Sequence, residues 1–416
     1  MEKLLINLPE IVIDILGRMD QKLIGHCERI TYMTMLYAQR CGKFTNEEVC
    51  KLTWTALFHD IGLLHKVDQA PWDDSESGNK FSHSEYGYLF LKQFSPYPEY
   101  ATIVRYHHAP WHMIDETDEL SSDLKQVVRV IKTTDQIDLY KLKCENFNRK
   151  IDEQVIETFL KEPANSDLEA EIREISSASE LTQPEVIHRS IIAKLQEIKA
   201  TPAQTEAMLQ TLISAIDFRS RYTAIHCSIV VKVSDKIGEL AGLNSYELKT
   251  LHIGSMLHDL GKISIPLRIL ESQGKLYDND WEIMKSHVTI TEEILKNRVS
   301  DDILEVAIRH HETLDGTGYP KQLTGDVITK TQRITTIADI ISALSEERSY
   351  KQPFSNEKIL SILKEMSKNN KICGEVLNTV EENYDIIIQT AKSANREAVE
   401  IYDKMMRDYR LMKTAL

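Results

Sequence analysis

The chain has 416 residues, 42% of them hydrophobic, and a formal net charge of −14. That length exceeds one ordinary core and suggests two or three domains, while the acidic balance argues against broad contact with DNA, RNA or anionic membranes, which need basic faces. No run reaches the roughly 18 apolar residues of a membrane span, and Met1-Glu2-Lys3 lacks a secretory layout, so a cytoplasmic protein without a membrane partner is expected.

Segments rich in Leu, Ile, Ala, Glu, Lys and Met dominate, punctuated by 15 glycines, and alternating strand-like runs are scarce. The expectation is an all-α fold. Six cysteines without CxxC spacing read as reduced thiols rather than a disulfide framework.

Taken from the N-terminus, the first half orders His26, His59-Asp60, His83, His107-His108 and Asp135. Residues from about Cys144 to Ala200 carry no motif. Lys161 to Ser166 and Ser176 to Ser179 break short amphipathic stretches in which Ile, Leu and Val persist, so a helical connector is expected. Thr201, Pro202 and Gln204 then supply an N-cap, a first-turn proline and a capping-box partner.

The second half repeats the first. Ile225, Ile229, Val233 and Ile237 make an apolar stripe beside His226. His258-Asp259, His287, His310-His311 and Asp339 follow in the earlier order, each displaced by roughly 200 residues. The run Ala56 to Gly62 parallels Ser255 to Gly261. Seven donor-type residues in register indicate a tandem duplication. The expected domains are 1–145, a connector 146–203, and 204–416 including a terminal helix. Ala391 to Leu416 is charged on one face and reads as a solvated helix on its own domain, with a docking or homodimer role as the alternative.

The copies differ in two places. Lys262 has Leu63 as its counterpart, and the run Glu312 to Pro320 is replaced by Ala109-Pro110-Trp111-His112. Imidazoles and carboxylates without thiolates suit divalent first-row metals (iron, manganese, nickel or zinc) outside any zinc-finger pattern. A glycine-rich turn beside two imidazoles lets a phosphate approach the backbone closely.

From about Asp217 to Ser355 the pattern H…HD…H…HH…D with Gly318-Tyr319-Pro320 resembles the HD-GYP family of metal-dependent cyclic-dinucleotide phosphodiesterases. The resemblance implies two divalent metals, iron or manganese first, with Asp259 bridging them. His226, His258 and Asp339 would complete one metal sphere, and His287, His310 and His311 the other. A metal pair about 3.5–4 Å apart makes hydroxide available at neutral pH for in-line attack on phosphorus. Asp259 and Lys262 would be the catalytic residues, with Lys262 holding a phosphate oxygen. Gly318, Tyr319 and Pro320 would wall the site, with Arg348 and Lys351 as further phosphate contacts.

The implied substrate is a 3′,5′-linked cyclic dinucleotide, cyclic di-GMP or 3′,3′-cyclic GMP-AMP, opened to the linear dinucleotide and on to mononucleotides. Two features depart from the family. Ser342 stands where a second aspartate is common, and Tyr222 where some members place the acidic ligand of a third metal, which favours two metals. The first copy keeps all seven donor types (His26, His59, Asp60, His83, His107, His108, Asp135), so it is a second candidate metal site without the Gly-Tyr-Pro part. The alternatives are a non-catalytic metal-binding adaptor or sensor, and an HD phosphohydrolase acting on another nucleotide.

Overall fold

A computed structural model of the chain describes residues 7–19, 21–66, 82–217, 221–272, 274, 276–346 and 353–414. Among these residues the regular structure is helical, with Asp315 and Thr324 forming an isolated antiparallel bridge. The all-α expectation holds. All six cysteines are free, and no described helix is long and apolar enough to cross a membrane.

The chain divides into two compact units. One comprises residues 16–211 with 405–416, the other 1–15 with 212–404. Each is built on the same five helices. In the first unit these are α1 (Gln21–Arg40), α2 (Asn46–Leu57), α3 (Ser82–Phe94), α4 (Ala101–Tyr106) and α5 (Ser122–Asn146). In the second they are α6 (Arg221–Leu240), α7 (Ser245–Leu257), α8 (Asp278–Leu295), α9 (Asp301–Ile308) and α10 (Lys330–Ser345).

The local signals repeat with the helices. Past α1 and α6 the chain turns at Gly42 and Gly242, whose φ of 69° and 74° side chains with a Cβ rarely adopt. Next, Thr45 with Glu48, and Asn244 with Glu247, close capping boxes that start α2 and α7. Ser121 caps α5 through the Leu124 amide, and Thr329 with Gln332 boxes the start of α10. The box read from Thr201 and Gln204 is also present.

In the second unit the α6 stripe is buried as expected, and it packs with Ile334, Ile337, Ala338 and Ile341 of α10. Each such side chain contributes about 1.5–3 kcal/mol by leaving water, which fixes the faces that carry His226 and Asp339. The terminal helix (Tyr384–Thr414) gives Ile387, Ile388, Ala391 and Ala394 to this same core. Its last part, from Met405, belongs to the first unit, where Tyr409 lies edge-on to Tyr86 at 5.4 Å. The stretch between the repeats packs into the first unit: Lys194 reaches Asn46 at 3.0 Å, and its carbonyl accepts from the Cys50 thiol.

Candidate metal centres

Each donor stands at a helix terminus or on a face that the core has already oriented. In the second unit His226 comes from α6, His258-Asp259 from the turn after α7, and His287 from α8. His310-His311 follow α9, and Asp339 lies on α10. The structure brings all seven together around Asp259. Its Oδ2 lies 3.1 Å from His258 Nε2 and 3.7 Å from His226 Nε2, and its Oδ1 lies 3.5 Å from His287 Nε2. Asp339 Oδ1 is 3.0 Å from His226 Nε2, and its Oδ2 is 3.9 Å from His311 Nδ1. His287 and His310 face each other with Nε2 atoms 3.4 Å apart.

Two groups satisfy metal-ligand spacing in this unit: His226 with His258 and Asp259, and His287 with His310 and His311. The first group takes Asp259 rather than Asp339 beside His226 and His258, and Asp339 stands 3.0 Å from His226 on its own. The first unit repeats the arrangement. Asp60 Oδ1 lies 3.2 Å from His83 Nε2 and 3.6 Å from His107 Nε2, while Asp135 Oδ1 lies 3.0 Å from His26 Nε2. Among the described residues its groups are His26 with His59 and Asp135, Asp60 with His83, His107 and His108, and a third in which the buried Cys27 joins His59 and Asp60.

The donor atoms suit cations rather than each other. In the first unit the Nε2 atoms of His26, His59, His83 and His107, Asp60 Oδ1 and both Asp135 oxygens are buried without a hydrogen-bond partner, as is His258 Nε2 in the second. His26 and Asp135 stand 3.0 Å apart yet out of hydrogen-bond geometry. Buried carboxylates and imidazoles without partners are strongly unfavourable unless a cation compensates them. Both clusters therefore fit divalent metal ions.

The opposite ring nitrogens are occupied, and that settles which lone pair faces inward. Nδ1 of His59, His107, His258, His287 and His310 donates to a carbonyl three residues earlier: Ala56, Val104, Ser255, Met284 and Ala307, at 2.6–2.9 Å. A donating Nδ1 leaves Nε2 as the free acceptor that a metal requires. His26 and His226 use carboxylates instead. Asp138 receives His26 Nδ1 at 2.7 Å and is itself held by Arg29 at 2.6 and 2.8 Å. In the second unit Ser342 occupies the position of Asp138, and the carboxylate comes from Glu346, one turn later, at 2.8 Å from His226 Nδ1. Ser342 Oγ lies 3.0 Å from the same nitrogen and donates to Glu346. Glu346 escaped the sequence reading because its position carries no motif.

Burial lowers the imidazoles, His287 to about 3 and His311 to about 4, so both are neutral at pH 7. Burial also opposes ionisation of Asp259, but His258 and Lys262 outweigh it and hold the carboxyl well below its usual range. His226 moves the other way: burial would lower it, yet Glu346 and Asp339 raise it to about 10. His26 is raised to about 10 against its own burial by Asp135 and Asp138.

Lys262 Nζ lies 2.5 Å from Asp259 Oδ2. The glycine before it is required by packing: a Cβ on Gly261 would overlap the His287 carbonyl oxygen, and one on Gly62 would overlap that of His83. Both glycines thus let the HD turn press against the helix bearing the next histidine. The Gly-Tyr-Pro loop folds back onto the centre, with the Tyr319 amide donating to the His311 carbonyl at 3.2 Å and the two rings 4.7 Å apart. A Cβ on Gly318 would strike the backbone of His311 to Thr313. Glu312, buried and also missed in the sequence, clamps the loop by accepting from the Lys321 and Leu323 amides at 2.7 and 2.9 Å. The Tyr319–Pro320 peptide is cis. In the first unit Trp111 covers the ammonium of buried Lys132 at 4.9 Å. Arg348 and Lys351 lie outside the described residues, as does the side chain of Tyr222.

Comparison with known proteins agrees with this doubled site. Residues 23–140 and 204–376 each match a family model described as an HD domain. The 3′3′-cGAMP-specific phosphodiesterase 1 of Vibrio cholerae is 26% identical over 387 residues, covering 89% of this chain and 88% of the relative. Phosphodiesterase 2 of that name is 40% identical over 158 residues, or 37% of this chain and 30% of the relative. The cyclic di-GMP phosphodiesterase response regulator RpfG of Xanthomonas campestris is 32% identical over 180 residues, 42% and 47% of the two chains. Among solved structures, a cyclic GMP-AMP specific phosphodiesterase of V. cholerae (V-cGAP3) aligns over 92% of this chain and 98% of its own. The TM-score is 0.52 at 19% identity, a likeness of fold.

Proposed function

We propose that this chain, which carries two HD domains and is homologous to the HD-GYP phosphodiesterases, is a hydrolase that opens 3′,5′-linked cyclic dinucleotides in its second domain. One observation carries the reading. In the second unit a complete donor set, Lys262 against Asp259, and a loop folded back on His311 converge at one place.

Two divalent metals, iron or manganese first, would be held by His226, His258 and Asp339 on one side and His287, His310 and His311 on the other, with Asp259 between them. When bound, such a pair supplies a nucleophilic hydroxide at neutral pH and stabilises charge developing on the phosphoryl oxygens. The chain's own residues do the rest. Lys262 neutralises a phosphate oxygen, and Gly318, Tyr319 and Pro320 exclude water from one side. Arg348 and Lys351 are assigned as further phosphate contacts from their place in the sequence pattern. Glu346 holds His226 in the tautomer that presents Nε2 to the metal.

The first domain keeps the donors but has Leu63 in place of Lys262 and no Gly-Tyr-Pro loop. That favours metal binding with a regulatory role there over turnover, within boundaries near 1–145 and 204–416.

The test is hydrolysis of cyclic di-GMP and 3′,3′-cyclic GMP-AMP by anaerobically purified protein with Fe(II) or Mn(II), beside Asp259→Asn and Asp60→Asn. Loss in the Asp259 variant alone is expected, and the wild-type rates rank the two substrates. No cleavage of either nucleotide by metal-loaded wild type would overturn the enzyme reading in favour of a metal-binding sensor.

A further inference from the structure

An aromatic path leads from the candidate centre to solvent. The Tyr319 ring lies 4.7 Å from the His311 ring and tilted 30° from it, and the Trp281 indole meets Tyr319 edge-on, 6.2 Å away at 77°. Trp281 is 45% exposed. Tyr277, the N-cap residue of α8 whose carbonyl accepts from the Trp281 amide at 2.8 Å, is 84% exposed. Single exposed apolar residues are ordinary, whereas a cluster bordering a polar site marks a contact surface.

We propose that Trp281 is a stacking platform for one nucleobase of the substrate, with Tyr319 setting the angle of the indole. This rests on the cyclic-dinucleotide reading above and supplies what that reading lacks, a group that holds a base. The scissile phosphate belongs among the metals and Lys262, so the attached base must leave the centre along a nearby wall. The wall formed by Tyr319 and Trp281 begins at a metal-donor histidine and ends in water. Stacking uses the π-face that every base possesses, so Trp281 serves guanine and adenine alike and contributes affinity rather than discrimination between them.

The experiment is steady-state kinetics of Trp281→Ala and Trp281→Phe with cyclic di-GMP, 3′,3′-cyclic GMP-AMP and methyl p-nitrophenyl phosphate, which carries no nucleobase. Metal content and gel filtration are measured on the same samples. Stacking is worth about 1–3 kcal/mol per base, so Trp281→Ala should raise KM for both cyclic dinucleotides by roughly 5- to 150-fold. The loss should fall on KM rather than kcat, because binding is removed equally from ground and transition states. Trp281→Phe should recover most of it, and KM for the base-free ester should not rise. An unchanged KM for the dinucleotides overturns the proposal. So does an equal rise for the base-free ester, or a change of oligomeric state, which would make the patch a contact between copies. Wild type that cleaves neither dinucleotide overturns the functional reading and this inference with it, and is distinguished by the wild-type rates alone.

Discussion

The carboxylate behind His226 is the most informative residue to move. Both domains hold their first histidine by a carboxylate on Nδ1, but Asp138 comes from the position that Ser342 fills in the second domain, and Glu346 reaches in from the next turn. Removing such a partner behind a metal-binding histidine typically weakens metal affinity or activity 10–100-fold, or about 1.4–2.7 kcal/mol. Glu346→Ala leaves the Ser342 hydroxyl 3.0 Å from Nδ1, so the loss should lie near the tenfold end. Ser342→Asp added to Glu346→Ala restores a carboxylate where the first domain has one, and should recover most of the affinity. The assay is competition for Mn(II) or Fe(II) against a chromophoric chelator, in an Asp60→Asn background so that only the second domain titrates. Wild-type affinity in Glu346→Ala, or no recovery in the double variant, refutes the argument.

Three further outcomes follow from the same geometry. Gly261→Ala must separate the HD turn from the His287 carbonyl, so it should cut metal occupancy of the second domain more than tenfold, read as metal per chain; Gly62→Ala should do the same in the first domain. Metal-free His226 and His26 are cations at pH 7, since their raised pKa of about 10 keeps the proton until pH passes that value. A metal needs the lone pair, so loading should release about one proton per domain and tighten up to about pH 10, as an indicator dye would record. Chelation should lower thermal stability, because the Asp60 and Asp135 oxygens lose their counter-charge. Metal at 100 times its Kd contributes about 2.7 kcal/mol, several degrees in a calorimetric scan.

The order of histidines and aspartates was legible because adjacency in the chain survives as adjacency at helix ends: His258-Asp259 follows α7 and His310-His311 follows α9. The α6 stripe was legible because a spacing of four residues is a physical period. What supports the donors was not. The Nδ1 acceptors are backbone carbonyls and leave no mark on residue identity. Glu346 stands one turn past Ser342 at a position that carries no motif, and Glu312 acts across a loop that no periodicity connects. The run Ala56 to Gly62 and its counterpart were visible as similar words, yet only the approach of Gly62 and Gly261 to histidine carbonyls explains why both words end in glycine. The assignment of residues 1–15 and 405–416 to the opposite halves' units likewise has no local signature.

The pattern of what each copy retains bears on where catalysis lies. Both copies keep seven donors, the backbone bonds that orient the imidazoles, and the glycine that packs the HD turn. Every feature assigned to substrate differs. Lys262 is matched by Leu63, the Gly-Tyr-Pro loop by Ala109 to His112, and Trp281, in register with the third histidine, by Ser77. If the first domain were merely degenerate, its buried donors would drift with the rest, since partnerless polar atoms destabilise a core by about 1–3 kcal/mol each and apolar replacements relieve that penalty. Retained donors with altered substrate features are what the proposed regulatory, metal-binding role of the first domain requires. Asp60→Asn should therefore lower the thermal stability of the chain while Asp259→Asn abolishes turnover. A first-domain variant that binds no metal and melts like wild type would remove the physical reason for those seven residues.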